Sequence, residues 1–135
     1  MTIPQPTVWP AFRARDAHAL IRFLVDVLGF TETLVVPDGD RVAHAELAWP
    51  PGGGVMLGSA RDVADDPWPA RPGSAATYLV TDDVDAVHAR VVAAGAEVLQ
   101  ELHDAGHGRE FTVRDPEGNL WSVGTYRGEP RPGAS

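Results

Sequence analysis

The sequence predicts an α+β fold of two tandem βαβββ modules, and three observations carry that prediction. A turn leading into an apolar strand, Asp115-Pro-Glu-Gly-Asn-Leu-Trp121, has a fainter copy at Trp49-Pro-Pro-Gly-Gly-Gly-Val55, an offset of 66 residues. The same offset pairs Asp16 with Asp82, Gly29 with Gly95, Leu57 with Val123, Gly58 with Gly124 and Ser59 with Thr125. Each half also presents its hydrophobic periodicities in the same order, so the chain reads as one module written twice.

The first module begins with Val8 to Arg15, which alternates apolar and polar as a strand does, and Asp16 follows as a helix N-cap. Leu20, Ile21, Leu24, Val27 and Leu28 fall at helical spacing, and Gly29 ends the helix. Thr31 to Val36 is a β-rich run that Pro37-Asp-Gly39 is expected to stop. Strands Val42 to Trp49 and Val55 to Ser59, joined by the Pro-Gly-rich turn, complete the module. In the second module the strand is Ala76 to Thr81 and the helix Val84 to Ala94, capped by Asp82 or Asp83 and stopped by Gly95. Strands near Val98 to Leu102, Arg109 to Arg114 and Leu120 to Tyr126 follow. The module boundaries are thus about 8–59 and 75–126, with a Pro-, Asp- and Ala-rich linker at 60–74 and a Pro/Gly-rich tail at 127–135 expected to be disordered.

Strand parity sorts the side chains into two faces. In Val42 to Trp49, Ala43, Ala45, Leu47 and Trp49 form an apolar face expected to pack on the helices, while His44 and Glu46 share the opposite face. The repeat offset pairs Ala45 with Phe111 and Leu47 with Val113, leaving Glu110 and Thr112 on the polar face of the second module.

A chain of 135 residues forms one ordinary domain that needs no staple to fold, and it contains no cysteine. That excludes a disulfide scaffold, a cysteine nucleophile and a thiolate zinc site. The first residues lack a basic segment followed by an apolar one, and no apolar run approaches membrane-spanning length, so a soluble cytoplasmic protein with no membrane partner is expected. A net charge of -8 argues against nucleic-acid binding, which needs clustered cations. No Ser-His-Asp set, phosphate-cradling glycine loop or dinucleotide fingerprint is present, and Pro50-Pro-Gly-Gly-Gly54 reads as a hairpin turn.

Six motifs stand in order along the chain: Arg15-Asp16 through Phe23 to Leu28-Gly29-Phe30, His44-Ala-Glu-Leu47, Met56-Leu-Gly58, Thr81-Asp-Asp-Val-Asp-Ala86, Ala94-Gly-Ala96 and Asp115 to Trp121. Together with the doubled module they resemble the vicinal-oxygen-chelate superfamily, the group of glyoxalases, bleomycin-resistance proteins and ring-cleaving dioxygenases. The resemblance implies curled mixed sheets whose concave faces enclose a ligand cleft, in many members completed by a second subunit of a homodimer. Metal-using members place ligands, typically His and Glu, at positions that map here to Trp9, Glu46, Ala76 and Ser122. Three of those four are not strong metal ligands, and the neighbours Pro10, Ala75, Thr77, Trp121 and Val123 add no His or carboxylate. A rescue would join His44 and Glu46 to His103 or His107, but a polar cavity wall is the simpler reading of His-x-Glu on a strand, so no metal or other cofactor is expected.

The expected ligand-binding residues are Trp9, Arg13, His44, Glu46, Trp68, Tyr78 and Ser122. Trp9, Trp68 and Tyr78 can stack on a flat ligand, Trp68 from the linker, whereas Trp49 and Trp121 fall on core parity. Arg13 and Arg15 share parity with Trp9 and can pair with Glu46 or hold an anion, a structural ion pair being the plainer alternative. Glu46 is also the candidate general base. His18 and His88 read as solvated helix residues. The leading functional expectation is a metal-independent small-molecule-binding protein, similar to the drug-sequestering bleomycin-resistance branch and working as a homodimer. The alternative is a metal-dependent glyoxalase-like lyase or isomerase, or a dioxygenase-related enzyme, using Glu46 as base or ligand.

Overall fold

A computed structural model describes residues 5–61, 64 and 66–133. The first module is β1 (Ala11–Ala14), α1 (Ala17–Arg22) continued by a π-helical turn (Phe23–Leu28), β2 (Thr31–Asp38), β3 (Arg41–Ala48) and β4 (Gly54–Ser59). The second is β5 (Ala76–Val80), α2 (Val84–Ala93), β6 (Glu97–Asp104), β7 (Arg109–Arg114) and β8 (Leu120–Gly124). Each module builds one four-stranded mixed sheet, ordered β1-β4-β3-β2 and β5-β8-β7-β6. The duplication extends to individual pairs, since Ala45 faces Leu57 in the first sheet as Phe111 faces Val123 in the second. Even the β3–β4 and β7–β8 turns share their hydrogen bonds: Trp49 N–H to the Gly53 carbonyl at 3.0 Å matches Asp115 N–H to the Asn119 carbonyl at 2.9 Å.

Local chemistry explains where the elements depart from the sequence expectation. β1 starts at Ala11 and not at Val8 because Pro10 has no N–H to donate, although its carbonyl still accepts from Met56 N–H at 2.9 Å. β2 runs through Pro37 to Asp38, which an edge strand tolerates because a missing N–H there costs no central ladder bond. The register of β2 on β3 jumps from Val36–His44 to Pro37–Val42, so Ala43 is the extra residue of a bulge. Parity inverts at that point: Val42 is buried and Ala43 is exposed, correcting the assignment of Ala43 to the core face.

Asp16 caps α1 as expected, its Oδ1 accepting from Ala19 N–H at 3.0 Å. Asp83 takes the cap position of α2 without a side-chain cap bond, and Thr81 Oγ1 instead accepts from Asp83 N–H at 3.1 Å. The second half of the first helix is π-helical, which brings Phe23 and Leu28, five residues apart, towards one buried side. Gly29 closes it with φ 97°, in the left-handed region, and Arg90 from α2 donates to the Val27 and Leu28 carbonyls, both at 3.1 Å.

The core lies between the helices and the inner sheet faces, and its centre is aromatic. Phe30 packs on Trp49 and Trp121 at centroid distances of 5.0 and 5.8 Å, and Phe12 meets Trp121 edge-on at 5.6 Å. Both indole N–H groups are satisfied, Trp49 by the Val80 carbonyl and Trp121 by Asp115 Oδ2, each at 2.8 Å. The β3–β4 and β7–β8 turns each also reach the other module. Trp49 bonds to β5, and Glu117 accepts the backbone N–H groups of Arg15 and Asp16 at 2.7 and 2.9 Å.

Of the linker, Asp62, Val63 and Asp65 lie outside the described residues, as do Ala134 and Ser135 of the tail. The described tail has no regular secondary structure, but Arg127 pairs with Asp82 at 2.5 Å and Tyr126 Oη donates to Glu129 at 2.8 Å.

Candidate functional site

With one face of each sheet packed on the helices, the other is open, and register decides which side chains share it. On the first sheet Glu46 lies between Met56 of β4 and Leu34 of β2, with His44 one step along β3 beside Val36. His44 Nε2 is 2.8 Å from Glu46 Oε2, so the carboxylate is held by its neighbour on the same face, as alternation along a strand requires. Leu34 and Val36 stay 42% and 40% exposed, forming an apolar margin beside this polar pair.

Trp9 precedes β1, and its ring lies across β4 at Gly54, where an added Cβ would come within 2.8 Å of the indole. A glycine inside a strand often marks such a close approach. Trp9 and Glu46 therefore meet in one cleft of about 580 Å³, completed by Thr31, Thr33, Ala48 and the turn that begins at Trp49. Glu46 is the sole ionisable group among its described lining residues. Thr31 and Thr33 escaped the sequence reading, because β2 carries a bulge between Glu32 and Leu34 that parity counting does not detect, whereas Ala48 continues the alternation of His44 and Glu46 along β3. An adjoining crevice of about 320 Å³ shares Trp49, Gly52 and Gly53 with this cleft and is also lined by Val8, Tyr78 and Arg127.

The remaining candidates are distributed as follows. Arg13 is buried on β1 and committed to the linker, its Nη2 2.9 Å from Asp66 Oδ1 and its Nε donating to the Trp68 carbonyl at 3.3 Å. Trp68 stacks on that guanidinium, 4.5 Å from ring centroid to Cζ, and so covers Arg13 and not Glu46. Nothing in the sequence pointed to Asp66 as the partner, since the pair spans a linker of irregular structure. Arg15 lies past the end of β1, with Nη1 3.7 Å from Glu117. His18 is exposed and bonds to the Asp40 carbonyl, whereas His88 is half-buried, edge-on to Phe111 at 5.1 Å and 3.3 Å from Glu101, which is more than a solvated position.

Tyr78 and Ser122 belong to the second sheet, where they are register partners. Ser122 Oγ shares a 2.9 Å hydrogen bond with Thr112. The Tyr78 hydroxyl lies against Gly124 and accepts from Tyr126 N–H at 3.2 Å, while its ring remains open to solvent. Burial of that hydroxyl end pushes its pKa above the ordinary 10.0, the Tyr126 bond opposes the shift and Glu110 adds to it, so the phenol keeps its proton at neutral pH. Tyr126 is raised too, chiefly by its bond to Glu129. His107 pairs with Glu110 at 2.9 Å and His103 Nδ1 bonds to the Glu101 carbonyl at 2.7 Å. His103 stays on β6 and His107 in the loop that follows it, and neither bonds to His44 or Glu46. No group of three His, Cys, Asp or Glu is placed to share a metal among the described residues. No helix among them is long and apolar enough to cross a membrane.

Residues 7–123 match the Glyoxalase/Bleomycin resistance protein/Dioxygenase superfamily. The anthracycline biosynthesis protein DnrV of Streptomyces peucetius is 30% identical over 131 residues, covering 89% of this chain but only 46% of DnrV, so the chain spans about half that relative. TioX from Micromonospora sp. ML1 superposes with a TM-score of 0.72 at 29% identity, covering 91% of this chain and 98% of TioX. TnmS3, an antibiotic binding protein from Streptomyces sp. CB03234, gives 0.67 at 26% identity, over 92% of this chain and 97% of its own. With the same doubled βαβββ architecture and a family match over most of its length, the chain belongs to the glyoxalase/bleomycin resistance protein/dioxygenase superfamily.

Proposed function

We propose that this protein binds a planar, cationic small molecule of the antibiotic class in the cleft between Trp9 and Glu46, without a metal and without chemical conversion. The observation that carries this reading is the composition of that cleft: an indole and a single carboxylate line it, with no other ionisable group among the described lining residues. A ring cation set against an indole gains about 0.5–2 kcal/mol from the quadrupole alone, and the carboxylate selects for positive charge. His44 holds the carboxylate in place through its hydrogen bond. Similarity to TnmS3, described as antibiotic binding, supports the ligand class.

The donor set supports metal independence. The four positions where metal-using relatives carry ligands hold Trp9, Glu46, Ala76 and Ser122, and a catalytic zinc wants about three protein ligands. Glu46 with His44 falls short, and Ser122 is engaged with Thr112. In this reading the protein works in the cytoplasm as a homodimer.

Titration with ethidium or a cationic anthracycline, followed by tryptophan fluorescence, tests the reading. Saturable quenching is expected, weakened about tenfold or more in Trp9→Ala and in Glu46→Gln. Absence of quenching by both probes overturns ligand capture in this cleft. Stoichiometric metal in the purified protein, lost in Glu46→Ala or His44→Ala, would overturn metal independence and favour an enzyme with Glu46 as ligand or base.

A further inference from the structure

The far end of the first sheet carries a feature that the aromatic cleft does not use. There β1 and β4 end side by side, with Ala14 opposite Ser59, and the β2–β3 hairpin closes with Asp38 opposite Arg41. A cleft of about 420 Å³ opens between them, lined by Arg13, Arg41, Arg61, Asp38 and Ser59, and it shares no lining residue with the cleft of Trp9 and Glu46. Three of the chain's 11 basic side chains thus meet in one small space, although the chain as a whole carries a net charge of -8.

We propose that this cleft is a second ligand site, which takes a small polyvalent oxyanion, a phosphate or polycarboxylate group. Arg13 supplies a rigid wall: it is buried, its guanidinium is fixed by Asp66, Trp68 and the Ser59 carbonyl, and the Trp68 ring stacks on it. Asp66 offsets the charge of Arg13, so among the described residues the attraction comes from Arg41 and Arg61, which outnumber Asp38, while Asp62 and Asp65 lie outside the described residues. Among the described residues neither of these two arginines forms an ion pair with a carboxylate, whereas Arg15, Arg109, Arg114 and Arg127 all do. Arg41 is oriented by a hydrogen bond to the Ala60 carbonyl. Ser59 Oγ accepts from Val42 N–H at 2.8 Å, which leaves its own proton available to an incoming oxygen. Planar guanidinium forks matched to oxygen pairs are the chemistry by which proteins hold phosphates and carboxylates.

The test is isothermal titration of the intact protein with pyrophosphate and with citrate, each against chloride at matched ionic strength. Saturable one-site binding is expected, weakened roughly tenfold or more in Arg41→Gln and in Arg61→Gln and unchanged in the tail variant Arg131→Gln. Binding of only one anion upholds the site and identifies its source as phosphate or carboxylate. Thermal melts of each variant separate loss of the site from loss of the fold, and Arg61→Gln, an exposed position, keeps the test usable if Arg41→Gln unfolds. Heats that never saturate with either anion, or affinity that falls equally in Arg131→Gln, would overturn the proposal.

Discussion

At the scale of single residues, the decisive side chains are those whose polar atoms have lost access to water. Asp115 is 4% exposed and accepts from Glu117, Gly118 and Asn119 N–H, from Asn119 Nδ2 and from Trp121 Nε1, at 2.8–3.0 Å. Asp115→Ala strands the buried indole and amide donors, so it should destabilise the fold by about 3 kcal/mol or more, read as a lowered urea midpoint with unchanged slope. Tyr78 illustrates a titrating group. Its folded pKa is raised, so the native state keeps a proton that the unfolded chain releases. Its contribution to stability is full below the ordinary value of 10.0 and is lost as pH climbs through the raised one. Urea midpoints measured across this range should fall on the alkaline side, less steeply in Tyr78→Phe, and an unchanged slope in that variant would show that the phenol does not contribute.

Among the elements, the turns and helix ends are what tie the two modules together. Trp49 from the β3–β4 turn bonds to β5, Glu117 from the β7–β8 turn bonds to the N-cap of α1, and Arg90 from α2 closes the π-helical end of the first helix. Gly29 is required at that end twice over: its φ is 97°, and a Cβ would come within 2.8 Å of Arg90 Nη2. Gly29→Ala should therefore cost about 1–3 kcal/mol. Repeating the substitution in an Arg90→Ala background should recover the part due to the clash and leave the part due to backbone strain. A double-mutant cycle on thermal midpoints measures the two.

For the molecule as a whole, the open faces of the two sheets set the expected assembly. Leu34 and Val36 on the first sheet and Tyr78 on the second remain about 40% exposed, an apolar contribution that a second copy of the chain would cover while completing the cleft beside Glu46. Sedimentation equilibrium should give a homodimer, and Leu34→Glu with Val36→Glu should shift it towards monomer and weaken the cationic probe together. A wild-type monomer that still quenches with full affinity would remove the second subunit from the site.

The doubled architecture was legible in the sequence because it is written in local chemistry. The repeated turn, the Asp16 cap, the Gly29 stop and the alternation of β3 from His44 to Trp49 depend on neighbours a few residues away, and each predicted element exists. The same alternation put His44 and Glu46 on one face, where their 2.8 Å hydrogen bond is found. Local chemistry failed wherever one extra residue changed the count, as at the Ala43 bulge, the β2 bulge that admits Thr31 and Thr33 to the cleft, and the π turn. It also failed for partners distant in sequence: Asp66 with Arg13, Glu117 with Arg15 and Asp16, and the gathering of Arg13, Arg41 and Arg61 at one sheet end. By itself the sequence determined the modules, their order and the faces of their strands, because backbone periodicity and turn chemistry are short-range. Only the tertiary structure decided which charges are neutralised and which face a cleft, because Coulombic and hydrogen-bonding partners are chosen by distance in space.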